Sequence, residues 1–147
     1  MKTIKQILRL KGKEIWITTP DATVFEALKI LAEKDIGAIP VLDGKKLIGI
    51  FSERDYARKV ILKGKSSKKT LVSEIMSTSI IIIPPDQTTS QGLALMTAKH
   101  VRHLPVIQKQ KLVGFISIGD LVKSIMGEQK QVIDKMEQYI TETSGLN

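Results

Sequence analysis

Two short stretches of the chain carry the same chemical groups in the same order. Gly49, Ser52 and Asp55 recur as Gly114, Ser117 and Asp120, so the pattern Gly-x-x-Ser-x-x-Asp occurs twice, 65 residues apart. Where a strand runs into a helix, such a serine hydroxyl and the first free N–H groups of the helix converge on one spot, which suits a phosphate. The aspartate then falls on the first helical turn. There an ionised carboxylate can accept hydrogen bonds from a vicinal diol such as the 2′ and 3′ hydroxyls of a ribose. Ordinary helix capping uses the same residues, and for one copy alone it is the stronger reading. Recurrence in register favours a binding site.

Other reactive combinations are scarce. The chain has no cysteine, so disulfides, thiolate zinc sites and cysteine nucleophiles are excluded. His100 and His103 are the only histidines, too few for a metal site without further ligands. Neither serine has a histidine at fixed short range, and the repeated aspartates lack a second carboxylate for acid–base hydrolysis, so the chain reads as a non-enzyme. His103 is a candidate phosphate donor or a surface residue. Lys99, which matches Lys34, reads as a helix-end cation, and Trp16, the single tryptophan, as a core or rim anchor.

The elements that hold these groups follow from a repeat. Ile17 to Asp55 aligns without a gap on Ile82 to Asp120, with identities that include Pro20/Pro85, Thr23/Thr88, Pro40/Pro105, Val41/Val106 and Leu47/Leu112. In each copy the apolar period changes along the chain. Glu14 to Thr18 and Ile80 to Ile83 read as short strands ended by proline. Thr23 and Thr88 stand as N-caps before amphipathic helices. Ala38 to Leu42 and Lys46 to Phe51 read as a hairpin turning at Asp43-Gly44. Leu104 to Ile107 and Lys111 to Ile116 repeat it with a less specific turn at Gln108 to Gln110. A further helix starts near Ser52 or Ser117 and is expected to end at Lys63-Gly64 or Met126-Gly127.

The expected class is therefore α/β (α+β): tandem β-α-β-β-α repeats packed as a pseudo-twofold pair, with N- and C-terminal helical extensions. The expected segments are 1–13 as an N-terminal helical extension, 14–63 and 78–127 as the repeats, 64–77 as a linker with a short helix, and 128–147 as a C-terminal amphipathic helix and tail. A formal charge of +8 favours anionic partners. The longest aliphatic run, Ile80 to Ile83, is too short to cross a bilayer, and lysines interrupt the apolar residues near the N-terminus, so a soluble cytoplasmic protein is expected.

The stretches DIGAIPVLDGKKLIGIFSERD and HVRHLPVIQKQKLVGFISIGD resemble the two halves of a CBS-domain pair, often called a Bateman module, over about Glu14 to Met126. FSERDYARKVILKGKSS followed by VSEIM is similar to the subset in which the pair is the whole protein, found in bacteria and plant organelles. The resemblance implies two clefts between paired sheets that bind adenosine-containing ligands such as AMP, ATP or NAD(H), and a disc-shaped homodimer. It also implies that Asp55 and Asp120 hold ribose hydroxyls and that Ser52 and Ser117 contact phosphate. The segments around Ile36, Ala38, Ile39 and Val101, His103, Leu104 would then sandwich adenine, with Arg54, Arg102 and His103 as phosphate cations. A sensor relaying ligand state to a regulated protein, conceivably a redox partner, is the leading reading. A basic nucleic-acid module using Arg58 to Lys69 and a ligand-free dimerisation scaffold are the alternatives. Against nucleic acid stand a 4% aromatic content and the lack of a base-reading helix.

Overall fold

A computed structural model describes residues 1–12 and 14–144. The elements in chain order are α1 (Ile4–Lys11), α2 (Val24–Lys34), β1 (Ala38–Asp43), β2 (Lys46–Ser52), α3 (Glu53–Tyr56) running into a π-helical turn (Ala57–Ile61), α4 (Val72–Ile75), α5 (Thr89–Lys99), β3 (His103–Gln108), β4 (Lys111–Ser117) and α6 (Ile118–Ser144). Strands β1 and β2 form one antiparallel hairpin and β3 and β4 another, with a bulge at the same point in each, Val41/Leu42 and Val106/Ile107. Thr23 accepts a hydrogen bond from the Glu26 N–H at 3.1 Å and Thr88 from Gln91 at 3.2 Å, so both are the expected N-caps.

The first strand expected in each repeat is reduced to one residue. Thr18 bridges Val41 and Ile83 bridges Val106, each in parallel. In a parallel ladder the rung before Thr18 needs an N–H at position 40, and the rung after it needs one at position 20. Both positions are proline, as are 105 and 85 in the second copy. The ladder therefore holds only the bonds from Thr18 N–H to Pro40 (3.0 Å) and Leu42 N–H to Thr18 (2.9 Å), with the same pair around Ile83.

Two cores result. Val24, Ala27, Leu31, Ile39, Val41, Phe51 and Val60 of the first repeat are closed by Val72 and Ile75 of α4. Ile83, Met96, Leu104, Val106, Ile116 and Leu121 of the second are closed by Ile4 and Ile7 of α1. Each repeat thus gives its leading helix to the other: α1 precedes the first copy and seals the second, while α4 precedes the second and seals the first. Backbone bonds seat the two helices alike. Val72 N–H donates to Ala22 at 2.9 Å and Ser73 to Pro20 at 3.1 Å; Ile4 N–H donates to Gln87 at 2.8 Å and Lys5 to Pro85 at 2.9 Å. Residues 4–8 (IKQIL) and 72–76 (VSEIM) share an apolar pattern offset by 68 residues, which the 65-residue alignment does not capture. The N-terminal segment is accordingly part of a core and not an appendage.

Helix α6 corrects a second expectation. It does not stop at Met126-Gly127 but continues through Gly127 to Ser144. One glycine costs a helix interior about 1 kcal/mol, and the helix-forming run from Glu128 to Gln131 on its far side outweighs it. In the first hairpin the two central turn residues are Gly44, at φ 61°, and Lys45, not Asp43-Gly44. In the second hairpin Lys109 (φ 50°) and Gln110 (φ 65°) are both left-handed, the geometry in which Asn-Gly is preferred.

Two outcomes follow for stability. A methyl group at Gly49 would lie 2.6 Å from Met76 Sδ and 3.0 Å from the Ser77 carbonyl, and one at Gly114 would lie 2.5 Å from Leu8 Cδ2. Gly49→Ala and Gly114→Ala should each lower stability in urea titrations by about 1–3 kcal/mol by prising α4 or α1 off its strand. Gly49→Ala should cost more, because a backbone oxygen cannot rotate away. Gln110→Gly should instead raise stability by about 1 kcal/mol, since it relieves a left-handed side chain.

Candidate functional site

Two clefts lie between the repeats, and each draws on both. The first, about 420 Å³, is lined by Glu14, Trp16 and Lys34 to Ala38 on one side and by Lys11, His103, Phe115, Ser117 and Asp120 on the other. The second, about 660 Å³, is lined by Ser52 to Asp55, Arg58, Ser77, Ser79, Ile81 and His100 to His103, with Gly37 and Ala38 at its inner end. Both volumes suit a small ligand. The Ser-x-x-Asp of one repeat therefore faces the segment that leads into the first hairpin strand of the other. Of the residues singled out from the sequence, Ser52, Arg54, Asp55, Val101, Arg102 and His103 come together in the second cleft. Ile36, Ala38, His103, Ser117 and Asp120 come together in the first.

Ile39 and Leu104 do not reach either cleft. Side chains alternate along a strand, so with Ala38 and His103 at the cleft walls their neighbours point inward, and both are fully buried in the two cores. Their side chains therefore line neither cleft and cannot form the faces of an adenine sandwich. Trp16 does line the first cleft, at its rim. Lys34 Nζ sits 4.1 Å from the centre of its ring, a cation–π contact that no local spacing announces because it joins two elements.

Both Ser-x-x-Asp patterns are helix caps. Ser52 Oγ accepts from the Asp55 N–H (3.1 Å) and donates to Asp55 Oδ2 (3.0 Å), which also accepts from the Ser52 N–H (3.0 Å). Ser117 Oγ accepts from the Asp120 N–H (3.1 Å), and Asp120 Oδ2 accepts from the Ser117 N–H (2.9 Å). Each carboxylate also holds a lysine. Asp55 Oδ1 lies 3.1 Å from Lys59 Nζ, which donates to the Ile75 carbonyl as well. Asp120 Oδ2 lies 2.8 Å from Lys11 Nζ, which donates to the Phe115 carbonyl. An ionised carboxylate has about four acceptor directions, so capping and a lysine leave capacity for a further donor. Capping and ligand binding are thus compatible uses of the same residues.

The clefts differ in charge at equivalent positions. His100, Arg102 and Arg54, on the second cleft, stand where the opposite repeat carries Asp35, Gly37 and Gly119. Consequently the second cleft gathers Arg54, Arg58 and Arg102 beside His100, against Glu53 and the lysine-paired Asp55. The first sets Lys11 and Lys34 against Glu14, Asp35 and Asp120. Asp35 and His100 end α2 and α5 in the left-handed conformation, where an L side chain is strained.

His103 lies where the two clefts meet, stacked on Phe115 with ring centres 5.5 Å apart. Burial lowers its pKa below the usual imidazole value, Lys11 and then Arg102 push it the same way, and Asp120 opposes them. Asp120 is itself resisted by burial, yet the Lys11 hydrogen bond and the Ser117 backbone N–H leave its pKa below the ordinary carboxylate value. Among the described residues no three His, Asp or Glu side chains group as a metal site, and no helix is long and apolar enough to cross a membrane.

The CBS domain model matches residues 6–62 and 72–127. The chain belongs to the CBS-domain family. Each match begins at a leading helix, α1 or α4, so the CBS repeats as matched are the segments that exchange those helices. The chain is similar to the mitochondrial CBS domain-containing protein CBSX3 of Arabidopsis thaliana, at 36% identity covering 94% of this chain and 71% of that one. It also resembles a solved protein with CBS domains from Burkholderia ambifaria, at 48% identity and TM-score 0.83 over 87% of this chain and 96% of the other. The CBS-domain pair of protein MJ0100, solved with 5′-methylthioadenosine and S-adenosyl-L-methionine, matches at 25% identity and TM-score 0.73 over 84% of this chain and 99% of that one.

The lowered pKa of His103 has a sign in solution. Below about pH 6.5 the unfolded chain takes up a proton that the folded chain resists, so this contribution is complete above that pH and is lost as pH falls toward the depressed value. Asp120 contributes above the ordinary carboxylate value and loses its share only at lower pH. Urea titrations between pH 7.5 and 5 should show stability falling for the wild type and a flatter profile for His103→Gln.

Proposed function

We propose that this CBS-domain pair is a regulatory module that binds an adenosine-containing nucleotide in the second cleft and relays its presence to a partner protein. The single observation that carries the reading is the convergence of Arg54, Arg58 and Arg102 on the cleft that also holds the capped carboxylate of Asp55. A phosphate needs cations and a ribose diol needs a carboxylate acceptor, and this cleft supplies both. Support also comes from MJ0100, whose structurally similar CBS pair was solved with two adenosine compounds.

In this reading Asp55 accepts from one ribose hydroxyl at its remaining acceptor position while Arg54 and Arg102 bind phosphate, and Val101 packs against the base. Burial lowers the His103 pKa, and a phosphate beside it would act in the opposite direction. The first cleft is weaker for anions because Lys11 is already committed to Asp120. AMP, ATP and NAD(H) fit the chemistry; S-adenosylmethionine, whose sulfonium is cationic, fits the first cleft's mixed charge better than the second. Relay to a regulated protein, redox or otherwise, follows from any difference in ligand affinity between two shapes of the pair. The cytoplasm is the compartment we assign, and a homodimer the assembly.

Calorimetry on nucleotide-free protein tests this. AMP should bind more tightly than adenosine. Arg102→Ala should weaken AMP roughly 10- to 100-fold, the value of a charged hydrogen bond of about 1.5–3 kcal/mol, and leave adenosine nearly unchanged. Asp55→Asn should weaken both. Equal binding of AMP and adenosine, or indifference of AMP to Arg102→Ala, would overturn the assignment of phosphate to the second cleft.

A further inference from the structure

One stretch of the surface carries much of the chain's excess charge. From Ala57 to Lys69 stand Arg58, Lys59, Lys63, Lys65, Lys68 and Lys69, with no acid between Asp55 and Glu74. The same window of the second repeat, 65 residues on, sets Lys123 and Lys130 against Glu128 and Asp134 and carries no net charge. The fold of the repeat therefore does not require these cations. Nor is the stretch a loose linker. Its carbonyls receive two N–H groups at the start of α2 that have no partner within the helix: Val24 N–H donates to Thr70 at 2.9 Å and Phe25 N–H to Ser67 at 2.9 Å. Lys65 N–H turns back to the Val60 carbonyl at 2.9 Å, just past the left-handed Gly64, and Thr70 is buried. The cations thus stand on a fixed frame. Among them Ile61 and Leu62, at the end of the π turn, are 55% and 77% exposed, and Phe25 is exposed beneath Lys68, whose Nζ lies 5.1 Å from the ring centre. Aliphatic side chains held in water among fixed cations gain from a partner that brings both apolar and acidic groups.

The mixture of groups chooses the occupant. A polynucleotide would meet the lysines but leave Ile61 and Leu62 uncovered, and Lys68 already stands over the ring of Phe25, where a base would stack. An anionic bilayer would press headgroups of like sign against Glu26 and Glu74, which are exposed beside Phe25 and Leu71; Glu74 is held there by the Leu71 N–H, which donates to Oε2 at 2.6 Å. A protein segment with apolar residues set among Asp and Glu pairs with the lysines and covers the aliphatic pair, and it can place its own donors opposite those two carboxylates.

We infer that the π turn and the connector after it form a docking surface for an acidic segment of a partner protein, one that carries apolar side chains for Ile61 and Leu62 and carboxylates for the lysines. The surface adjoins the second cleft, because on the same short element Arg58 lines that cleft and Lys59 Nζ lies 3.1 Å from Asp55 Oδ1. Docking does not require a nucleotide, so it is tested with the clefts empty and its failure leaves the nucleotide assignment untouched.

Fluorescence anisotropy on the full, nucleotide-free chain at low ionic strength tests this with a short labelled peptide of glutamate and leucine in amphipathic order. A counterpart with alanine for every leucine keeps the charge and serves as the control. The first peptide should bind, and the second should bind about tenfold more weakly. Lys63→Glu, Lys65→Glu and Lys68→Glu together should weaken the first peptide roughly 10- to 100-fold, while Lys45→Glu, Lys46→Glu and Lys111→Glu together, at the hairpin turns, should leave it nearly unchanged. Leu62→Ser should weaken the leucine peptide about tenfold and the alanine peptide little. Leu62 is exposed, so circular dichroism of that variant should match wild type. No binding of the leucine peptide, equal binding of the two peptides, equal loss from both sets of reversals, or indifference to Leu62→Ser overturns the inference. So does tighter binding, unaffected by Leu62→Ser, of phosphatidylglycerol vesicles or of a single-stranded oligonucleotide.

Discussion

Each repeat lacks one side of its own core, and the missing side is supplied by the other. Ile4 and Ile7 of α1 complete the second core, and Val72 and Ile75 of α4 complete the first. Burying side chains of this size is worth about 1.5–3 kcal/mol each, so neither repeat of roughly fifty residues retains a closed interior without its neighbour. The exchange also accounts for Gly49 and Gly114. The helix crosses the second hairpin strand so closely that only hydrogen fits beneath Met76 or Leu8.

Reciprocal sealing fixes how the repeats face one another, and the clefts are the result. Ser52 and Ser117 cap the helices that follow the hairpins, which holds Asp55 and Asp120 in one rotamer at equivalent cleft walls. A pseudo-twofold would make the clefts alike. The exchange breaks that likeness at one point, because α1 brings Lys11 to Asp120, whereas Asp55 takes Lys59 from its own helix. Substitutions at three further equivalent positions, Asp35/His100, Gly37/Arg102 and Gly119/Arg54, then send the cations to the second cleft. Thus the fold makes two clefts and the charges set them apart.

Gly127 marks where the repeat's symmetry gives way to a different use of the chain. Its counterpart in the first repeat falls near Gly64, where the helix widens into a π turn and ends with a left-handed glycine at φ 68°. In the second repeat the same kind of helix runs on past Glu128 and leaves the body, carrying a seven-residue apolar pattern that the β-α-β-β-α unit has no use for. Stacked repeats and a projecting helix obey different periods, and the change of period along α6 marks where the helix leaves the core.

Local chemistry made much of this visible in the sequence. The repeat, the threonine caps, the hairpins and the Ser-x-x-Asp pattern are set by neighbours a few residues apart, and propensity and hydrogen bonding act at that range. What depended on distant partners was not visible in the same way. The first strands shrank to single bridges because prolines on two different segments meet in one ladder. Ile39 and Leu104, adjacent to cleft residues, turned into the cores because the strand's alternation is resolved only by which face is covered. The helix at residues 4–11 became a core element because it packs on distant residues from Ile83 to Leu121. By itself the sequence determined the repeat and the Ser-x-x-Asp groups that recur at both cleft walls. Only the tertiary structure decided which repeat supplies each wall, and which aspartate is bound to a lysine of its own helix and which to one from the N-terminus, because those are contacts across space that no local spacing encodes.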